Sequence, residues 1–380
     1  MSTTIHQTKS YLYLPDSNKN KTTHYSLLTT HSSPLTHPML LIIDDKIPFI
    51  RGEAEKLGDV VYLPGAKITA ADVREADVLI TRTRTLCNKA LLEGSKVKFI
   101  ATATIGYDHL DVDYLREAGI AWTNCPGCNA TSVAQYVETS LLLLEQEGKV
   151  NLKDCTVGVI GVGNVGRRVV ERLERMGCRV LLNDPPRAGQ EAEFAQRAAS
   201  LEELQQECDV ITIHTPLITT GAHPTLHLVN NNFLNNLKRS PVLINAGRGE
   251  VVDNVALSTA LDEGQISAAV IDTWENEPHI DRDLLQKVFL GTPHIAGYSA
   301  DGKANGTRMS LEAVARYFNK EVTFEVSAPT LPEGYAYYPE KTVTPDSPLR
   351  LYDPRRDSDA LKTHPEDFEK LRGDYPLRRE

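Results

Sequence analysis

Long apolar runs are missing from this chain. The longest beside a hydrophobic helix, Leu141 to Leu144, is far too short to span a bilayer, and the N-terminus lacks the continuous apolar stretch of a secretory signal. Cysteine is scarce: six in 380 residues make no disulfide scaffold, so a reduced, cytoplasmic setting is expected. Positive charge is outweighed, with 41 Lys and Arg against 51 Asp and Glu and a formal net charge of −10. That balance argues against nucleic acid and anionic membrane as partners. Acids are nearly absent from residues 1–38, and arginine is wholly absent. This stretch is rich in Ser, Thr, His and Asn without a sustained period and reads as a disordered N-terminal extension. The lack of Arg argues against a transit peptide, and Met39, at the head of MLLIIDD, is a candidate translation start.

What is present is organised around Thr156 to Pro186, TVGVIGVGNVGRRVVERLERMGCRVLLNDPP. A short apolar run, 157–162, reads as a buried strand. Gly161, Gly163 and Gly166 follow as G-x-G-x-x-G, and Val165, Val169, Leu173 and Met176 then share one face of a helix. Each glycine has its own task. The first allows a tight turn, the second lets a pyrophosphate approach the backbone, and the third lets helix and strand pack closely. The helix N-terminus offers free N–H groups and a positive dipole end to an anion. Asp184 lies 18 residues past Gly166, where a carboxylate can accept hydrogen bonds from an adenosine ribose and would repel a 2′-phosphate. NAD is therefore the expected cofactor, with Arg187 the one neighbouring residue that would suit NADP.

Hydrophobic content of 41% supports a proper core, and the length suits two or three domains. From Met39 candidate strands at 40–44, 59–63, 77–82, 97–102 and 120–124 alternate with helices near 48–57, 70–76, 87–93 and 111–118. A long helix, Asn129 to Gly148, leads into a second unit with strands near 157–162, 179–183, 209–214, 242–246, 268–272 and 289–292. A helix from Lys303 to Asn319 crosses back. Asp111, Asp253 and the Ser200/Glu203 box are helix starts, and Gly119 and Gly264 are stops. Such alternation means parallel sheets covered on both faces, here two doubly wound domains with a ligand cleft expected between them. The expected division is 39–130 with 297–319 and 131–296. Beyond Lys320, LYDPRRD suggests a strand and turn and PEDFEKLRGDY a short helix. Sixty such residues could hardly fold alone, so 320–380 is expected to dock on a neighbour or a second subunit.

Three polar residues follow strands of the second unit: Arg248 in NAGRG, Glu277 in ENEP and His294 in TPHIAG. The carboxyl ends of parallel strands face the ligand crevice. A guanidinium can clamp a carboxylate bidentately. An imidazole can take a hydroxyl proton as hydride leaves carbon, and a carboxylate behind it fixes its tautomer. Together they suit the oxidation of a 2-hydroxy acid. In LITRTRT, Arg82 and Arg84 follow a strand of the first domain, where a phosphorylated substrate needs positive charge; Arg82 is the candidate phosphate partner. Cys125 and Cys128 have redox spacing but read as a loop, His214 as structural, and Asp108 and His109 as a local turn and cap. No metal is expected.

From about Met39 to Asn319 the chain resembles the D-2-hydroxyacid dehydrogenases, through TATIGYDHLD, PGCNATSVAQYV, GVGNVGRRV, NDPPRA, HTPL, LINAGRGEVVDN and GTPHIAGYSADGKA. The resemblance implies a flavodoxin-like substrate domain and a Rossmann NAD domain. It implies that Arg248 binds the substrate carboxylate, Glu277 supports the histidine and His294 is the acid/base. It places Thr83, Thr104 and Tyr298 at substrate contacts, and Asp184, Thr215, Asp272 and Gly297 at NAD contacts beside the loop Gly161, Gly163, Asn164, Val165 and Gly166. The tail motif YDPRRD with FEKLRGDY resembles the end of a dimerisation segment, here shortened, which implies a homodimer. The expected reaction is NAD-dependent oxidation of a small phosphorylated 2-hydroxy acid, with glycerate or 3-phosphoglycerate as alternative substrates. An NAD-sensing binding protein of the same architecture is the alternative of a different class.

Overall fold

The structure is a computed structural model and describes residues 37–341, 343–376 and 378–380. The expectations for residues 1–36 lie outside the described residues. The chain forms two compact units, one taking it up to Asn129 together with Ala300–Thr330, the other Ala130–Ser299 together with Leu331–Glu380.

In unit 1 the apolar runs become β1 (Leu40–Asp44), β2 (Asp59–Leu63), β3 (Val78–Thr81), β4 (Phe99–Thr102) and β5 (Ala121–Thr123). They form one parallel sheet in the order β2-β1-β3-β4-β5, the flavodoxin-like arrangement. β1, β3 and β4 are almost wholly buried, as strands sandwiched between two helical layers must be. Helix Val112–Ala118 starts where expected, with the Asp111 side chain accepting from the Tyr114 N–H, and ends at Gly119 in the left-handed region at φ 70°. The helix Ala300–Tyr317 closes the unit, burying Leu311 and Val314, with Phe318 just past its end in the same core. One expected helix is absent. Residues 48–57 form turns and a single 3-10 turn, Ala54–Lys56. Pro48 and the positive φ of Phe49 (60°) and Gly52 (84°) break any helical run there.

In unit 2, β6 (Thr156–Ile160), β7 (Arg179–Asn183), β8 (Val210–Ile213), β9 (Val242–Asn245), β10 (Ala268–Ile271) and β11 (Leu290–Gly291) form a second parallel sheet in the order β11-β10-β9-β8-β6-β7. A one-residue parallel bridge, Leu182 to Ala198, lies past β7. Counted as an edge strand, it restores the doubly wound dinucleotide-binding order. The capping box of Ser200 and Glu203 and the Asp253 cap are both formed. The helix Ala130–Gln146 packs beside helix Asn164–Arg175.

The tail beyond Lys320 divides. Phe324 and Val326 pack against the core of unit 1. Residues 331–380 fold onto unit 2, placing Tyr337, Leu349, Tyr352 and Tyr375 in one of its cores and Leu361 and Phe368 in the other. The stretch read as a strand and turn at LYDPRRD is instead the start of helix Arg355–Thr363; Pro354 precedes its first residue, a position where proline's fixed φ suits a helix start. Arg378 is fully buried and donates to the carbonyls of Ser132, Ile295, Ala296 and Tyr298, with its plane 3.8 Å from the Tyr352 ring centroid. No described helix is long and apolar enough to cross a membrane.

Candidate active site

The glycine turn leaves the carboxyl end of β6. Gly161 has φ 84°, and a Cβ there would lie 2.9 Å from the His214 backbone. A Cβ on Gly166 would come within 2.0 Å of the Gly161 carbonyl oxygen, so helix and turn can approach only without a side chain. At Gly163 a Cβ would meet nothing within 4 Å, which leaves the helix N-terminus open to an anion. Asp184, just past β7, accepts from the backbone N–H of Val162 at 2.9 Å and of Arg187 at 3.1 Å. The carboxylate is thereby fixed at the rim of the turn. Arg187 is engaged elsewhere: it donates to Glu191 and to the Val162 carbonyl, both at 2.9 Å, and stacks on Phe194. The buried hydroxyl of Thr215, past β8, has no hydrogen-bond partner among the described residues. An open helix N-terminus, a rim carboxylate and an unpaired hydroxyl on one sheet edge fit a bound NAD.

The residues expected to act as acid and base stand on the same edge. His294 Nδ1 is 2.8 Å from Glu277 Oε2, and Glu277 Oε1 accepts from the Trp274 N–H at 2.9 Å. An ionised carboxylate only accepts, so Nδ1 carries the hydrogen and the Nε2 lone pair is left for a substrate proton. Burial pushes the Glu277 carboxyl up. The His294 hydrogen bond and charge, the Trp274 N–H and Arg372 outweigh burial and hold it below the usual carboxylate range. His294 itself sits in the left-handed region, φ 56°, a strained backbone that its surroundings enforce. Its N–H donates to the Asp272 carbonyl, and the Asp272 side chain accepts from Thr292 Oγ1, Ile295 N and Ala296 N. Asp272, assigned to cofactor contact by resemblance, is thus the buried clamp of the loop that carries His294 and Gly297.

Arg248 follows β9, and its guanidinium donates to the Gly247 carbonyl at 2.8 Å rather than to the dyad. A Cβ at the next residue, Gly249, would lie 1.9 Å from the Trp274 carbonyl oxygen. The second glycine of NAGRG therefore lets the arginine turn close onto the loop leading to Glu277. Tyr298 lies beside Arg372, whose Nε is 3.4 Å from its hydroxyl. In unit 1, Arg82 and Thr83 follow β3 and Thr104 follows β4, so all three lie beyond the carboxyl ends of adjacent strands. Arg82 donates to the Lys46 carbonyl, and Thr104 pairs with Thr102 at 2.7 Å. His109 is buried against Thr102. Cys125 is fully buried, its thiol pushed up to about 12 by burial, as an inert loop residue would be. Burial depresses His214 to about 3, in keeping with a structural role.

Two residues escaped the sequence reading, Arg372 and Arg378. Their only signal is a basic pattern around one tyrosine, LRGDYPLRRE, in a segment without periodicity.

A dinucleotide turn and a carboxylate-backed histidine, carried by one parallel sheet, define a nicotinamide-dependent dehydrogenase. Residues 134–296 match the profile of the D-isomer specific 2-hydroxyacid dehydrogenase, NAD binding domain. The chain belongs to that family of NAD-dependent oxidoreductases. It is 52% identical over 343 residues to a Bacteroides fragilis protein named erythronate-4-phosphate dehydrogenase, covering 90% of this chain and 97% of that one. It is 43% identical over 359 residues to an Escherichia coli protein of the same name, covering 90% and 92%. Among solved structures, the NAD-complexed D-isomer specific 2-hydroxyacid dehydrogenase of Lactobacillus delbrueckii ssp. bulgaricus superposes with a TM-score of 0.62 at 23% identity. That match covers 75% of this chain and 98% of that one and shows the shared fold.

Proposed function

We propose that the protein oxidises 4-phospho-D-erythronate at C2 with NAD, giving (R)-3-hydroxy-2-oxo-4-phosphooxybutanoate for pyridoxal 5′-phosphate synthesis in the cytoplasm. The observation that carries the chemistry is the 2.8 Å contact of His294 with Glu277 on the sheet edge of the glycine turn. The substrate rests on the names of relatives that the chain matches nearly end to end. Bound NAD supplies a hydride acceptor. His294 Nε2 takes the C2 hydroxyl proton as hydride departs, and Glu277 stabilises the resulting imidazolium. Arg248 holds the carboxylate as a bidentate pair, and Thr83, Thr104 and Tyr298 offer hydroxyls to the substrate. Arg82 receives the phosphate. The tail's resemblance to a dimerisation segment supports a homodimer as the working form, which sedimentation would show.

NADH formation with 4-phosphoerythronate, against glycerate and 3-phosphoglycerate, tests the reading: a preference for either of the latter rejects it. In the same assay Arg82→Glu is expected to raise KM for the phosphorylated substrate about 10- to 100-fold. Unphosphorylated erythronate should change little. Equal losses on both would remove Arg82 from the phosphate site.

A further inference from the structure

Glu277 and Tyr298 come from different loops, one after β10 and one after β11. A single guanidinium joins them. Arg372 Nη1 lies 3.6 Å from Glu277 Oε2, the same oxygen that meets His294, and Arg372 Nε is 3.4 Å from the Tyr298 hydroxyl. Glu369, one helical turn earlier, lies 3.8 Å from Nη1 and steadies the side chain. A planar fork can address two partners along two edges, which a lysine ammonium on the same backbone cannot.

The delivery of this residue is specified by the tail. Helix Phe368–Gly373 is anchored by Phe368, which is 1% exposed in the core of unit 2. Six residues past Arg372, Arg378 grips the carbonyls of Ile295, Ala296 and Tyr298. The segment thus holds the loop after His294 from behind while presenting Arg372 to the acid that orients His294. Arg372 is only 28% exposed, so its charge acts with little screening from water.

We propose that Arg372 is a positioning residue of the dehydrogenase site: its guanidinium ties the Glu277 carboxylate to the Tyr298 hydroxyl and thereby aims the His294 imidazole. It touches the reaction only through these two residues, and the proposal rests on the reading of His294 as proton acceptor. Glu277 keeps its Trp274 N–H and His294 partners without it, but loses the cation that holds the carboxylate in register with Tyr298.

The test compares wild type, Arg372→Ala and Arg372→Lys on whichever panel substrate the wild-type enzyme oxidises best. If wild type oxidises none, the functional reading fails and the role of Arg372 falls with it; active wild type with an unimpaired alanine variant overturns the role of Arg372 alone. The alanine variant is expected to lose about 10- to 100-fold in kcat, the scale of a small misplacement of a catalytic group. KM for NAD should stay within about twofold, since the cofactor turn is untouched. Guanidinium ion at about 20 mM, far below denaturing concentrations, is expected to restore at least about fivefold of the lost rate in the alanine variant and to leave wild type unchanged. The lysine variant should remain impaired. A kcat within about threefold of wild type in the alanine variant overturns the proposal. So does a loss that guanidinium leaves unrestored, since a side chain that merely supports packing is not replaced by a free ion. Should the alanine variant fail to fold, the lysine variant decides: wild-type kcat there overturns the role, and a lowered kcat at unchanged KM upholds it.

Discussion

Replacing His294 with asparagine is expected to lower kcat by about 100- to 10,000-fold, the range a general base contributes. Asparagine is the informative choice because position 294 has φ 56°, a backbone that asparagine tolerates better than alanine. Strain then stays near its native level, and a change in turnover reports on the imidazole. The clamp beneath does not depend on the ring, for Asp272 holds Thr292, Ile295 and Ala296 through its own carboxylate. Circular dichroism and NAD binding should therefore match wild type. Glu277→Gln is expected to cost less, because an amide oxygen can still accept from Nδ1 but cannot offset the imidazolium charge. Turnover of the asparagine variant near wild type would remove His294 from the chemistry.

The second large effect is on stability. Arg378→Met is expected to destabilise unit 2 by about 3–5 kcal/mol, the scale of removing one partner from a buried charge network. Arg378 is fully buried, and its donors serve four backbone carbonyls, Gln135 Oε1 and the Tyr375 hydroxyl. Methionine fills much of the volume but supplies no donor, so each of these acceptors loses a buried partner that water cannot replace. It also strips a counter-charge from buried Asp357. Burial pushes that carboxyl up to about 6, against the pull of its tyrosine hydrogen bonds and of Arg378. For a unit of this size the loss amounts to a fall in thermal midpoint of about 6–20 °C. A midpoint within about 2 °C of wild type would show that the network contributes little.

Much of the fold could be read from the chain because of how parallel sheets are built. Strands covered on both faces, such as VLIT at β3 and VLIN at β9, appear as unbroken apolar runs. Polar punctuation at Asp111, Ser200 and Asp253 marked helix starts through caps that are indeed formed. The glycine turn and the pairing of Glu277 with His294 were equally legible, since both rest on residue types at fixed places after strands. What failed was local. Apolar spacing over 48–57 suggested a helix, but backbone angles at Phe49 and Gly52 forbid it. The tail failed for another reason. Its helix at Arg355 is held by tyrosines and a buried arginine packed against residues more than 200 positions earlier, such as Ser132 and Gln135. Burial of a charge by distant carbonyls leaves no period in the local sequence.

The grip of Arg378 on the carbonyls of Ile295 and Tyr298 spans 83 and 80 positions. On a ribosome working from the N-terminus, the glycine turn and all six strands of unit 2 are made well before the arginine that fastens the histidine loop. Fastening of the histidine loop therefore waits until Arg378 has been made, and a nascent chain stalled short of it would have its glycine turn complete but that loop unfastened.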